Sequence, residues 1–72
     1  MNDKNYCAVI RDKGQWYVWN RHNIWHNAII GYPKRLTYNG AKRKCCEAYR
    51  QGRCDAWRAI SIQELLNEYK SY

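Results

Sequence analysis

Asn39-Gly40-Ala41-Lys42-Arg43-Lys44-Cys45-Cys46-Glu47-Ala48-Tyr49-Arg50-Gln51-Gly52-Arg53 reads as one helix, and the rest of the chain is arranged to hold it. Ala41, Cys45, Ala48 and Tyr49 fall at i, i+4, i+7 and i+8, a spacing that sets small and aromatic side chains on one helical face. Lys42, Arg43, Lys44 and Arg50 are then left to water, forming a basic ridge. Asn39 is suited to accept hydrogen bonds from the first free N–H groups, and Gly52 tolerates the positive φ at which a helix stops.

The flanking stretches read mainly as strands. Tyr6 to Arg11 and Gln15 to Arg21 are β-branched and aromatic runs separated by Asp12-Lys13-Gly14, the pattern of a hairpin with Gly14 in the left-handed position. Alternation sends Trp16, Val18 and Asn20 to one face and Tyr17, Trp19 and Arg21 to the other, so both faces carry rings. His22 to Ile30 fits two periods: Ile24, His26, Ala28 and Ile30 alternate as in a strand, and Ile24, Trp25, Ala28 and Ile29 also fit a helical turn. Its length favours a third antiparallel strand, broken by Gly31-Tyr32-Pro33.

Beyond Gly52, Cys54 to Ile60 predicts a last strand with Trp57 and Ile60 as its apolar contributors. Ser61 and Glu64 then form a capping box, with Ile60 and Leu65 as the hydrophobic staple around it. Ile62, Leu65, Leu66 and Tyr69 supply the apolar stripe of a short C-terminal helix. The order is β-β-β-α-β-α, an α+β fold in which a small antiparallel sheet carries the main helix on one face. Nothing suggests a linker or repeat, so residues 1–72 are expected to form one compact basic domain.

Seventy-two residues bury only about 60% of the surface that the unfolded chain exposes, which leaves little room for a deep active site. The aromatic residues are seven Tyr and four Trp with no Phe, rings that keep a polar edge. The net charge of +7 is concentrated. Between positions 34 and 53, seven cations (Lys34, Arg35, Lys42, Arg43, Lys44, Arg50, Arg53) face Glu47 alone, leaving +6 there and +1 over the other 52 positions. Such a field raises the local concentration of anionic partners, and it also keeps a small protein soluble. An N-terminus with an early acid and only a four-residue apolar run lacks the core of a signal peptide, and no window reaches the length of a membrane span. A cytoplasmic protein with reduced thiols and no membrane partner is the expectation. Adjacent Cys45 and Cys46 are poorly placed to bond each other.

Residue spacing bears on three kinds of chemistry. His22-x3-His26 with Cys45, Cys46 and Cys54 downstream invites a zinc reading, yet no Cys-x2–4-Cys pair exists and adjacent helical cysteines point about 100° apart, so no metal or other cofactor is expected. His22, His26 and Arg21 are the residue types of a small RNase-like toxin, but no carboxylate is spaced to pair with them, and the chain is read as a non-enzyme. Ser61 is accounted for as a cap. The basic ridge with neighbouring rings remains: Lys and Arg neutralise phosphates, and an exposed Trp or Tyr stacks on an unpaired base.

The run Asp12-Lys13-Gly14-Gln15-Trp16-Tyr17-Val18-Trp19, followed by Ala41-Lys42-Arg43-Lys44 and Arg53-Cys54-Asp55-Ala56-Trp57, resembles in its pattern the small phage and prophage accessory proteins. The resemblance implies a hairpin, a helix and a closing strand, and roles such as nucleic-acid-binding regulator, modulator of host transcription or inhibitor of a bacterial defence complex. The expected function is therefore binding of DNA or RNA by a monomer or homodimer. Lys34, Arg35, Lys42, Arg43, Lys44, Arg50 and Arg53 would contact the ligand, with Trp19 and Arg21 beside them. The alternative is a protein-binding inhibitor that sets the same residues against an acidic surface of a host complex, with rings as anchors.

Overall fold

The computed structural model describes residues 3–27 and 32–70. Strands β1 (Tyr6–Asp12), β2 (Gln15–Trp19), β3 (Trp25–His26) and β4 (Ala56–Ser61) form one antiparallel sheet in the order β3-β2-β1-β4, with helices α1 (Tyr38–Arg50) and α2 (Ile62–Lys70). The predicted α+β order is the one observed.

The β1–β2 hairpin closes tighter than the three-residue break in the sequence suggests. Asp12 pairs with Gln15, so only Lys13 and Gly14 form the loop, with φ of 53° and 81°. Positive φ at both positions is the primed turn whose twist matches the strands, and Gly14 takes its half without a Cβ penalty. The next hairpin turns on Asn20, whose buried side-chain oxygen accepts from the N–H groups of His22 and Ile24 at 2.9 and 3.2 Å. The Asn23 N–H bonds the Asn20 carbonyl at 3.0 Å, and Asn23 is left-handed at φ 61°. That turn returns the chain as a strand, but among the described residues β3 spans only Trp25 and His26; the expected continuation through Ala28 and Ile30 lies outside them. Pro33 does not simply release the chain: it bridges to Asn20, and Leu36 exchanges backbone hydrogen bonds with Tyr6 at 2.9 and 2.8 Å.

Four consecutive residues of β1, Cys7 to Ile10, are buried, which requires cover on both faces. Ala8 and Ile10 pack against Ala41, Cys45 and Ala48 of α1, while Cys7 and Val9 pack with Val18, Ile60 and Leu65 of α2. The main helix α1 covers one face as expected, and α2 closes the opposite face. It is held there by its own signals, since Ser61 Oγ accepts from the Glu64 N–H at 3.1 Å and both staple residues, Ile60 and Leu65, enter that core. The closing strand starts at Ala56 rather than Cys54.

At α1 two expectations change. The N-cap is Thr37, not Asn39: Thr37 is extended (φ −69°, ψ 162°) and its Oγ1 accepts from the Gly40 N–H at 3.0 Å. Pairing of Leu36 with the sheet sets where the chain can begin to coil, two residues before Asn39. Tyr49 is the second correction, because it is 56% exposed rather than packed inward. Ala41, Cys45 and Ala48 are the buried residues of α1, and their small size lets Cys45 Sγ come within 3.7 and 3.5 Å of the Val9 and Arg58 carbonyl oxygens. The C-terminus behaves as read: Gly52 has φ 71°, its N–H bonds the Tyr49 carbonyl at 3.0 Å, and the Arg53 N–H bonds Ala48 at 3.0 Å, a Schellman closure.

Candidate functional site

The basic residues divide by direction, because a helix turns about 100° per residue. Arg43 and Arg50 stand one above the other, roughly opposite the buried seam, and both are exposed. Lys42 projects to one flank between the exposed rings of Tyr38 and Tyr49, on which side Tyr38 also meets Tyr6 edge-on at 5.4 Å. Lys44 leaves by the opposite flank. Its ammonium lies 4.3 Å from the centroid of Trp19 and 3.5 Å from Glu47, so this member of the ridge is largely engaged within the molecule.

Arg53 follows the Schellman closure and extends the exposed cations past the helix end. Arg50 in the last turn also complements the partial negative charge of that end, which gives it a structural reason to be there. Lys34 and Arg35 precede the helix, so α1, about 20 Å long at 13 residues, separates them from Arg53. Their heads donate to Asn23 and Asn5 side chains. Arg21 is exposed and lies 4.6 Å over the Tyr32 ring. Arg43 and Arg50 thus form an outward track that Arg53 extends past the helix end, with Lys42 on one flank of it. Lys44 with Trp19, Arg21 with Tyr32, and Lys34 with Arg35 lie apart from it.

Ion pairing sharpens that division. Among the described residues the cations that meet carboxylates are Arg11 with Asp55 at 3.1 Å, Lys44 with Glu47, and Arg58 with Glu68. The last is bidentate, with guanidinium nitrogens 2.9 and 2.8 Å from the two oxygens, and this hydrogen bonding holds the Glu68 carboxyl below its usual range. No carboxylate among the described residues pairs with Lys42, Arg43, Arg50 or Arg53.

A cleft of about 430 Å³ opens where this track ends, lined by Ile10, Asp12, Lys13, Tyr17, Trp25, Gly52 and Arg53. Of that set the sequence marks only Arg53 as a candidate binding residue. Tyr17 shares the α1 face of β2 with Trp19, a relation the alternation already carried, but nothing local joins Lys13 and Trp25 to Arg53. His22 and His26 are exposed on the β2–β3 hairpin, and among the described residues no three His, Cys, Asp or Glu side chains gather as a metal site. Burial pushes the Cys45 thiol up to about 12 and that of Cys7 up to about 11, so both stay protonated and packed at neutral pH. Among the described residues no helix is long and apolar enough to cross a membrane. Comparisons of the chain with protein-family models, with curated proteins and with solved structures returned no match.

Proposed function

We propose that this chain is a non-enzymatic nucleic-acid-binding domain that lays the outer side of α1 against a phosphate backbone. The observation that carries the reading is the outward track of Arg43, Arg50 and Arg53 with Lys42 on its flank, all exposed and without carboxylate partners among the described residues. Buried small residues hold the helix close to the sheet and leave that side outward, so the four cations can meet an anionic polymer without rearrangement.

Four neutralised phosphates release their counterions, which makes affinity steeply dependent on salt. Fluorescence anisotropy with labelled DNA and RNA oligonucleotides is expected to show affinity falling about a hundredfold between about 50 and 200 mM salt. Reversing all four charges (K42E, R43E, R50E, R53E) should remove both the binding and the slope. Affinity that ignores salt and survives the reversal would end this reading.

A second reading has its own support in the flank where Tyr38, Lys42 and Tyr49 are exposed side by side, since rings and cations are the residues of protein-interface anchors. In it the domain inhibits a host complex by occupying an acidic surface. A pull-down from nuclease-treated bacterial lysate separates the two, because only the inhibitor keeps its partner once nucleic acid is destroyed.

A further inference from the structure

The cleft at the end of α1 combines features that a phosphate track alone does not need. Ile10, 2% exposed, forms its floor, and Tyr17 and Trp25 are half-buried walls. Lys13 and Arg53 are exposed at the rim, brought there by the primed β1–β2 turn and by the Schellman closure after α1. Trp25 is braced from behind: its ring meets Trp19 at 5.0 Å and 64°, and Trp19 lies beneath Lys44. A volume of about 430 Å³ lies within the roughly 300–1,000 Å³ range of small-ligand clefts.

We infer that this cleft takes one unstacked base of a single-stranded nucleic acid. The inference rests on the phosphate-track reading above and deepens it by naming the form of nucleic acid bound. A planar ring entering between Tyr17 and Trp25 leaves water for an aromatic surface, and stacking of this kind tolerates any base because every base has a π-face. The flanking phosphates then fall to Lys13 and Arg53 at the rim, and the strand continues along Arg50 and Arg43. Asp12 also lines the cleft. Its carboxylate only accepts hydrogen bonds, so it suits the amino or imino edge of a base and repels a phosphate from the interior. A duplex keeps its bases stacked and offers nothing to this cleft.

The test uses the unaltered protein. A short single-stranded oligonucleotide, the same strand with every base removed, and a nucleoside monophosphate are titrated at low salt, while the indole N–H resonance of Trp25 is followed by NMR. The intact strand should bind about tenfold or more tightly than the abasic strand, and it alone should move the Trp25 signal strongly. Trp25→Phe should reduce the advantage of the intact strand while leaving abasic affinity unchanged. Equal affinity for intact and abasic strands overturns the base site and leaves the phosphate track standing. A monophosphate that binds as tightly as the strand overturns the single-strand assignment, and no binding by either strand overturns both readings.

Discussion

The two faces of the sheet are covered by opposite means. On the α1 side Ala41, Cys45 and Ala48 are small, so the helix sits close to the sheet and its charges stay outside; on the α2 side Leu65, Ile62 and Tyr69 are large and fill the space themselves. Charge follows the same division. Arg58, on the α2 side, is closed on Glu68, whereas Arg43 and Arg50 on the back of α1 have no carboxylate partner among the described residues. The α2 side thus closes Arg58 on Glu68, and the back of α1 presents Arg43 and Arg50 outward. A cation that already holds a carboxylate has less to offer a phosphate, so the open side of α1 is where a binding partner is sought.

Opposite substitutions should break the two faces. Leu65→Ala removes a side chain that is 2% exposed and is expected to cost about 2–5 kcal/mol, whereas Ala41→Leu should cost about 1–3 kcal/mol by forcing α1 off the sheet. Urea unfolding at constant slope measures both. A neutral Ala41→Leu would mean that small residues do not set the helix-to-sheet distance.

Each face also buries one thiol, Cys7 toward α2 and Cys45 toward α1, and this sharpens the comparison with pH. Both native values lie above the ordinary 9.0, so the unfolded chain releases its protons first as pH rises. Their contribution to stability is therefore complete below pH 9 and is lost as pH climbs toward about 11 for Cys7 and about 12 for Cys45. The loss is on the order of 1 kcal/mol per thiol for each pH unit in that window. Unfolding midpoints from pH 8 to 11 should fall less steeply in Cys45→Ala than in the unaltered protein; an unchanged slope would place that thiol in contact with water.

The smallest effect concerns charge and stability. Arg50→Ala should lower the unfolding free energy by no more than about 0.5 kcal/mol, the loss of one charge at the helix end, while Arg58→Ala should lower it further by releasing Glu68. If the order reverses, the cations on the back of α1 are structural and their availability to a partner must be reconsidered.

Elements specified by neighbouring residues are legible in the sequence. Gly14 and Gly52 mark their turns because only backbone freedom is at issue there, and Ser61 with Glu64 marks the start of α2 because a cap acts over three residues. Reading failed where a distant contact decided between local equals. Thr37 and Asn39 are both able to cap, and the pairing of Leu36 with Tyr6 selected the first. Tyr49 stood at the margin of the helical stripe, where the three small residues that meet the sheet left no place for a large ring. Lys44 belongs to the basic ridge by spacing, and Trp19, from another element, draws it out of that ridge.

The amino-acid order alone determined the helical period of α1 and α2, the turns at Gly14 and Gly52, and a positive charge crowded between positions 34 and 53. Tertiary structure decided which of those charges are open and that Tyr17, Trp25 and Arg53 share a cleft. Local propensity and capping act between residues a few positions apart, whereas a binding surface depends on where separate elements come to rest, and that is set by how their buried faces pack.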